Sequence, residues 1–136
     1  MKIGYTTGVF DMFHVGHLNI LRKAKAECDV GVSTDELVMS YKQKVPIIPF
    51  EQRKEIVAAI KYVDKVVTQS SRDKIKAYDD LHFDIMFVGN DWKGTPFFDK
   101  IEEELRKRNV EISYFPYTEG VSSTILREKL NSIYGR

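Results

Sequence analysis

The sequence contains one cysteine, Cys28, in 136 residues, so neither an intrachain disulfide framework nor a cysteine-rich zinc site is available to it. No apolar run approaches the roughly 20 residues of a membrane span, and the first residues lack the apolar stretch of a secretory leader. Charge of one sign is also missing. Lys+Arg 21 stand against Asp+Glu 20, a net charge of +1, which argues against a protein that coats nucleic acid through a basic surplus. There is no repeat, no low-complexity tract and no linker rich in glycine, serine or proline. These absences lead us to expect one domain over residues 1–136, cytoplasmic, with no membrane or nucleic-acid partner. Cys28 is expected as a reduced, buried thiol with no part in any chemistry.

What is present is an alternation. Strands are predicted at residues 3–7, 30–33, 63–68, 85–89 and 111–115. Between them, helical spacing of apolar residues marks a helix from about Leu18 to Ala26, one opening at Pro49 with Phe50, Ile56, Val57 and Ile60 on one face, and others at 73–81 and 98–108. Leu126, Leu130 and Ile133 close the pattern with a helix. Residues 41–45 read as a polar connection, and the strand at 30–33 is near the lower limit of strand length. Strand–helix alternation of this kind predicts an α/β fold, Rossmann-like and doubly wound, with a mainly parallel sheet covered by helices on both faces. Ligands of such sheets bind outside the carboxyl ends of the strands. The segments there are 8–17, 34–44, 89–94 and 116–124.

The first segment runs Gly8-Val9-Phe10-Asp11-Met12-Phe13-His14-Val15-Gly16-His17. Gly8 permits a tight turn after a strand. His14 and His17, three apart at a helix start, can direct both rings to one side, with Gly16 leaving the space between them clear. A helix start favours anions, and two imidazole donors there suit a transferring phosphoryl group. The plainer reading is one capping histidine and one surface histidine. A metal site of His14, His17 and Asp11 is weaker, because no further ligand completes it.

In the last segment, Gly120 allows a sharp turn, and Ser122, Ser123 and Thr124 stand just before the closing helix, as a phosphate cradle or simply a serine cap. Lys42 and Lys44 flank Gln43 on the polar connection; two such lysines are usually solvated charges, and in this fold they overhang the carboxyl end of the sheet. Arg53 either orients this region or forms a structural pair with a carboxylate. Asp91 and Trp92 follow the strand at 85–89. They are either a cap and a core residue or parts of a base pocket.

The H-x-G-H of His14–His17 after G-x-F-D resembles the nucleotidyltransferases of the cytidylyltransferase family. The likeness continues through Ser33-Thr34-Asp35-Glu36-Leu37, Lys42-Gln43-Lys44, Glu51-Gln52-Arg53-Lys54, Tyr62-Val63-Asp64, Gly89-Asn90-Asp91-Trp92 and Thr118-Glu119-Gly120-Val121-Ser122-Ser123-Thr124, covering Lys2 to Leu130. It implies transfer of CMP from CTP to a phosphorylated alcohol, glycerol 3-phosphate before phosphocholine, phosphoethanolamine or another polyol phosphate, in a homodimer. Alternatives are an adenylyltransferase using ATP and an inactive nucleotide-binding module. By resemblance, His14, His17, Lys44 and Lys42 are catalytic, and Lys42 also serves the acceptor side. Gly8, Val9, Phe10, Gly89, Asp91, Trp92, Thr118, Gly120, Ser122, Ser123 and Thr124 bind the nucleotide, with Asp91 on the cytosine amine. Asp11, Lys42 and Lys76 bind the acceptor. A Mg2+ ion bridging the nucleotide phosphates, with few direct protein ligands, is expected.

The chain departs from the family pattern in four places. Tyr117 stands where many relatives have arginine, which predicts weaker CTP affinity or compensation by another basic residue. Lys61 replaces an arginine at the segment that forms the dimer contact in relatives. The stretch from Cys28 to Ser33 is about three residues shorter than the family's. Residues 70–76, where acceptor contacts lie in relatives, match poorly, although Lys74 and Lys76 are positive.

Overall fold

The structure is a computed structural model that describes residues 2–23, 27–89, 92–116 and 122–135, without the side chains of 27 and 28. Its strands are β1 (Ile3–Gly8), β2 (Glu27–Ser33), β3 (Lys65–Gln69), β4 (Ile85–Gly89) and β5 (Glu111–Phe115). They form one sheet in the order β3-β2-β1-β4-β5, with every pairing parallel. The helices among the described residues are α1 (Val15–Lys23), α2 (Asp35–Lys42), α3 (Phe50–Ala58), α4 (Lys74–Leu81), α5 (Pro96–Arg106) and α6 (Ser123–Tyr134). The expected doubly wound α/β architecture is therefore what the chain adopts. No helix among the described residues is long and apolar enough to cross a membrane.

Side chains alternate between the two faces of the sheet, as the two-residue period of a strand requires. On one face Tyr5, Met86, Val88 and Ile112 pack with Phe83, Phe98, Leu105 and Val110. On the other, Val30 and Val32 pack with Phe10, Leu21 and Val57. Two glycines make the central strands fit. A Cβ on Gly4 would lie 2.5 Å from the Phe87 ring, and one on Gly31 would lie 2.7 Å from the Tyr5 hydroxyl oxygen. Both strands thus leave room for a large aromatic neighbour.

Two local expectations are corrected. The second strand is not short: β2 runs seven residues, Glu27–Ser33. It pairs with β1 on one side and β3 on the other. Asp29 and Gly31 weaken its sequence signal, and ladders on both sides override that weakness. The polar connection expected at 41–45 begins later, because an unforeseen helix, α2, occupies Asp35–Lys42. Thr34 caps it, its hydroxyl accepting from the Leu37 N–H at 3.1 Å, and Asp35 and Glu36 fill the first turn, where acidic groups oppose the helix dipole. Only Leu37 and Val38 of this helix are buried, too few for the apolar spacing to announce it. Gln43 then ends the helix in the left-handed region, φ 54°.

The order of strands places β1 and β4 side by side with their crossovers on opposite sides, the switch point at which such sheets open a crevice. The carboxyl ends of β1, β2 and β4 border this crevice.

Candidate active site

The turn after β1 brings the two histidines together by local bonding. His14 caps α1: its Nδ1 accepts from the Gly16 N–H at 3.1 Å, and the His14 N–H donates to Nδ1 of His17 at 3.3 Å. This reciprocal pattern matches that of a capping box. The rings stack with centroids 3.8 Å apart and an interplanar angle of 21°. Because both Nδ1 atoms accept hydrogen bonds, the network assigns the proton of each neutral ring to Nε2. Burial lowers the His14 imidazole below the ordinary histidine range. Burial, then the neighbouring His14, push His17 down to about 3 against the opposing pull of Asp11. At neutral pH the pair is therefore two uncharged donors. Phe10, buried at the edge of the His17 ring with centroids 5.3 Å apart, holds that ring in place.

A cavity of about 280 Å³ lies over this pair. Its walls bring together His14, Gly16, His17, Val9, Phe10, Lys42, Lys44, Ser122, Ser123 and Thr124, which sequence reasoning had scattered over three segments. Ser122 does cap the closing helix, accepting from the Ile125 N–H at 3.0 Å. Ser123 and Thr124 stand inside its first turn rather than before it. Ser123 donates to the Asp11 carbonyl at 2.5 Å, which ties α6 to the histidine turn. Capping and cavity-lining are thus compatible. Lys42 is in the last turn of α2, not on a loop, and Lys44 lies just beyond its end. The cap residue at φ 54° turns the chain sharply between them.

A second cavity of about 180 Å³ adjoins the first and shares Val9, Ile20 and Lys42 with it. Gly8, Gly89 and Trp92, expected at the nucleotide, line this one and not the histidine cavity, together with Arg72 and Lys74.

Asp11 lies on the wall of the first cavity, but its carboxylate is already occupied. It accepts from the Ile47 and Ile48 N–H groups at 2.8 Å each and from the Arg127 guanidinium. That is an anchoring arrangement, and it answers for the burial of Asp11 without any ligand. Lys76 is not brought to the histidines: it lines a separate cavity with Thr68 and Asp80. Arg53 is buried. It donates to the carbonyls of Ile48, Val9 and Ser33 at 2.8, 2.7 and 2.8 Å and to Asp35 at 2.6 Å. It both pairs with a carboxylate and holds two wall residues, because Val9 lines both cavities and Ser33 the second. Asp91, Thr118, Gly120 and Tyr117, as well as the side chain of Cys28, lie outside the described residues.

Sequence reasoning missed Lys23 and Arg127, which also line the first cavity. Arg127 is four residues after Ser123, one helical turn away, a spacing that could have flagged it. Lys23 carries no comparable signal. Among the described residues no group of three or more His, Cys, Asp or Glu is placed to hold a metal ion.

Comparison with known proteins gives a consistent picture. The family model described as cytidylyltransferase-like matches residues 5–129. A glycerol-3-phosphate cytidylyltransferase of Bacillus subtilis is 36% identical over 134 residues, covering 96% of this chain and 98% of the relative. An FAD synthase of Archaeoglobus fulgidus is 39% identical over 108 residues, covering 76% of this chain and 75% of the relative. Among solved structures, a lipopolysaccharide core biosynthesis protein of Thermoplasma volcanium superposes with a TM-score of 0.72 at 25% identity, covering 87% of this chain and 97% of that one.

Proposed function

The chain belongs to the cytidylyltransferase-like family and is a nucleotidyltransferase, and from that premise we propose that it transfers CMP from CTP to a phosphorylated alcohol, glycerol 3-phosphate first, giving a CDP-alcohol and pyrophosphate. The observation that carries this reading is the convergence of His14, His17, Lys42, Lys44 and the Ser122–Thr124 helix start on one cavity.

An acceptor phosphate oxygen attacks the α-phosphorus of CTP in line. The new P–O bond forms as the bond to the bridging α–β oxygen breaks, and pyrophosphate leaves with that electron pair. Chemistry of this type asks the protein for positioning and for stabilisation of charge. The Nε2–H groups of His14 and His17 donate to the non-bridging oxygens of the α-phosphate. As neutral donors they form stronger bonds in the transition state, where those oxygens gain charge, without first trapping the substrate as an ion pair. Lys42, on the wall of both cavities, faces the attacking and the attacked phosphates together. Lys44, with the free N–H groups and hydroxyls at the start of α6, holds the leaving pyrophosphate. Lys23 on the same wall supplies basic charge of the kind that Tyr117 lacks. Magnesium travels with the triphosphate as part of the substrate, consistent with a carboxylate at Asp11 already committed to backbone and arginine.

The test is pyrophosphate release with CTP or ATP, each offered with a panel of phosphorylated alcohols. Turnover with CTP and a polyol phosphate is the expected result. Turnover with ATP alone, in line with the likeness to an FAD synthase, would replace CTP as the donor. No turnover with any pair would reduce the chain to a nucleotide-binding module.

A further inference from the structure

The second cavity carries an arrangement that the transfer reaction does not require. The Arg72 guanidinium sits over three aromatic rings, 4.1 Å from the centroid of Phe97, 4.6 Å from Tyr41 and 5.8 Å from Trp92. The three rings come from α2, the segment after β4, and α5. Such a box of aromatic faces is the surface that attracts a quaternary ammonium group, through the negative face of each ring. In this protein the box is filled by a cation of its own chain.

The rest of the wall has the same sign. Lys42 and Lys74 line the cavity with Arg72, and no carboxylate lines it among the described residues. Lys74 is buried and donates to the Thr7 hydroxyl at 3.2 Å, at the carboxyl end of β1. Burial first, and then the charge of Arg72, lower its ammonium to about 8. Three cations thus face one space, and an anion entering it interacts favourably with all of them. Gln69 lines the same space, with a side-chain oxygen that is buried without a hydrogen-bond partner among the described residues.

We propose that Arg72, seated in the box of Tyr41, Trp92 and Phe97, determines acceptor specificity: the second cavity takes a phosphorylated polyol whose far end is neutral or anionic, and refuses acceptors ending in an ammonium group. This inference rests on the cytidylyl-transfer reading for the identity of the reaction, but not for the identity of the bound group. A phosphocholine or phosphoethanolamine head would need the aromatic faces that Arg72 already covers, and would meet like charge from Arg72 and Lys74. A glycerol-like end needs neither. Arg72 lies in the segment before α4 and is not one of the buried core residues.

The experiment compares the unaltered chain with Arg72→Ala and Arg72→Gln. Two measurements are made: pyrophosphate release from CTP with glycerol 3-phosphate or phosphocholine, and quenching of Trp92, the one tryptophan of the chain, on titration with each acceptor alone. We expect the kcat/KM preference for glycerol 3-phosphate over phosphocholine to fall by about tenfold or more in both variants, the size of a desolvated cation–aromatic contact. The change should lie in the acceptor KM with the CTP KM constant, and phosphocholine should quench Trp92 in the variants alone. An unchanged preference, or phosphocholine used equally well by the unaltered chain, overturns the proposal while leaving cytidylyl transfer in place. If no acceptor supports turnover, the transfer reading falls, and the fluorescence titration still decides which head group Arg72 admits.

Discussion

Asp11, in the turn after β1, accepts a charge-assisted hydrogen bond from Arg127 of α6, a contact that spans 116 positions of sequence. The same carboxylate takes the N–H groups of Ile47 and Ile48. One buried side chain therefore ties the histidine turn, the segment leading to α3 and the closing helix into a single frame around the first cavity. Two residues beside it, Phe10 and Met12, have φ of 55° and 47°. Non-glycine residues enter that left-handed region at a cost, here offset by the bonds that Asp11 makes.

Replacing Asp11 with Ala should cost about 3 kcal/mol of stability, because it strands two backbone donors and leaves Arg127 without its carboxylate. Arg127→Ala should cost about 1 kcal/mol, since Asp11 keeps its two backbone partners. Urea denaturation of both variants and the double variant measures the difference, and a double-mutant cycle isolates the pair.

His14→Ala should reduce kcat by about two to four orders of magnitude with little change in the CTP KM, as expected for a donor that acts on developing charge. His14 also caps α1, so a loss of about 1 kcal/mol of stability should accompany it. His14→Asn keeps a capping side chain, which should restore the stability and not the rate. Chemical denaturation beside steady-state kinetics separates the two.

Acid should weaken the fold through His17. Its imidazole is held near 3 in the folded chain against an ordinary 6.5. Between these values the unfolded chain binds a proton that the folded chain refuses, so stability is complete above about pH 6.5 and falls as pH drops toward 3. His17→Phe, which cannot titrate, should show a shallower decline. Thermal melts from pH 7 to pH 4 give the slopes, and equal slopes would remove His17 as the cause.

Arg53→Lys should destabilise the chain by about 3 kcal/mol despite keeping the charge. A lysine cannot reproduce the planar fork that reaches three carbonyls and Asp35. Because Val9 and Ser33 line the second cavity, the acceptor KM should rise as well. Denaturation and kinetics on the same sample provide both numbers.

Much of this was legible in the residues themselves. The alternation of strand and helix, the glycine turn at Gly8, the His14–His17 spacing and the Ser122 cap all depend on residues a few positions apart, where helical and strand periods and capping rules operate. The misjudged elements were those whose local signal is weak. α2 buries only Leu37 and Val38, and β2 carries Asp29 and Gly31 yet is secured by a partner strand on each side.

The tertiary structure alone decided which charges meet. Nothing near Arg127 in sequence indicates Asp11, and nothing near Arg72 indicates Tyr41, Trp92 or Phe97. The resemblance likewise placed both Lys42 and Lys76 on the acceptor side, whereas the folded chain puts Lys42 on the wall of both cavities and Lys76 in a third, which shares Gln69 and Lys74 with the second. The near-balance of 21 basic and 20 acidic residues holds for the chain as a whole. A locally basic site arises only when a parallel sheet gathers the carboxyl ends of distant strands at its switch point.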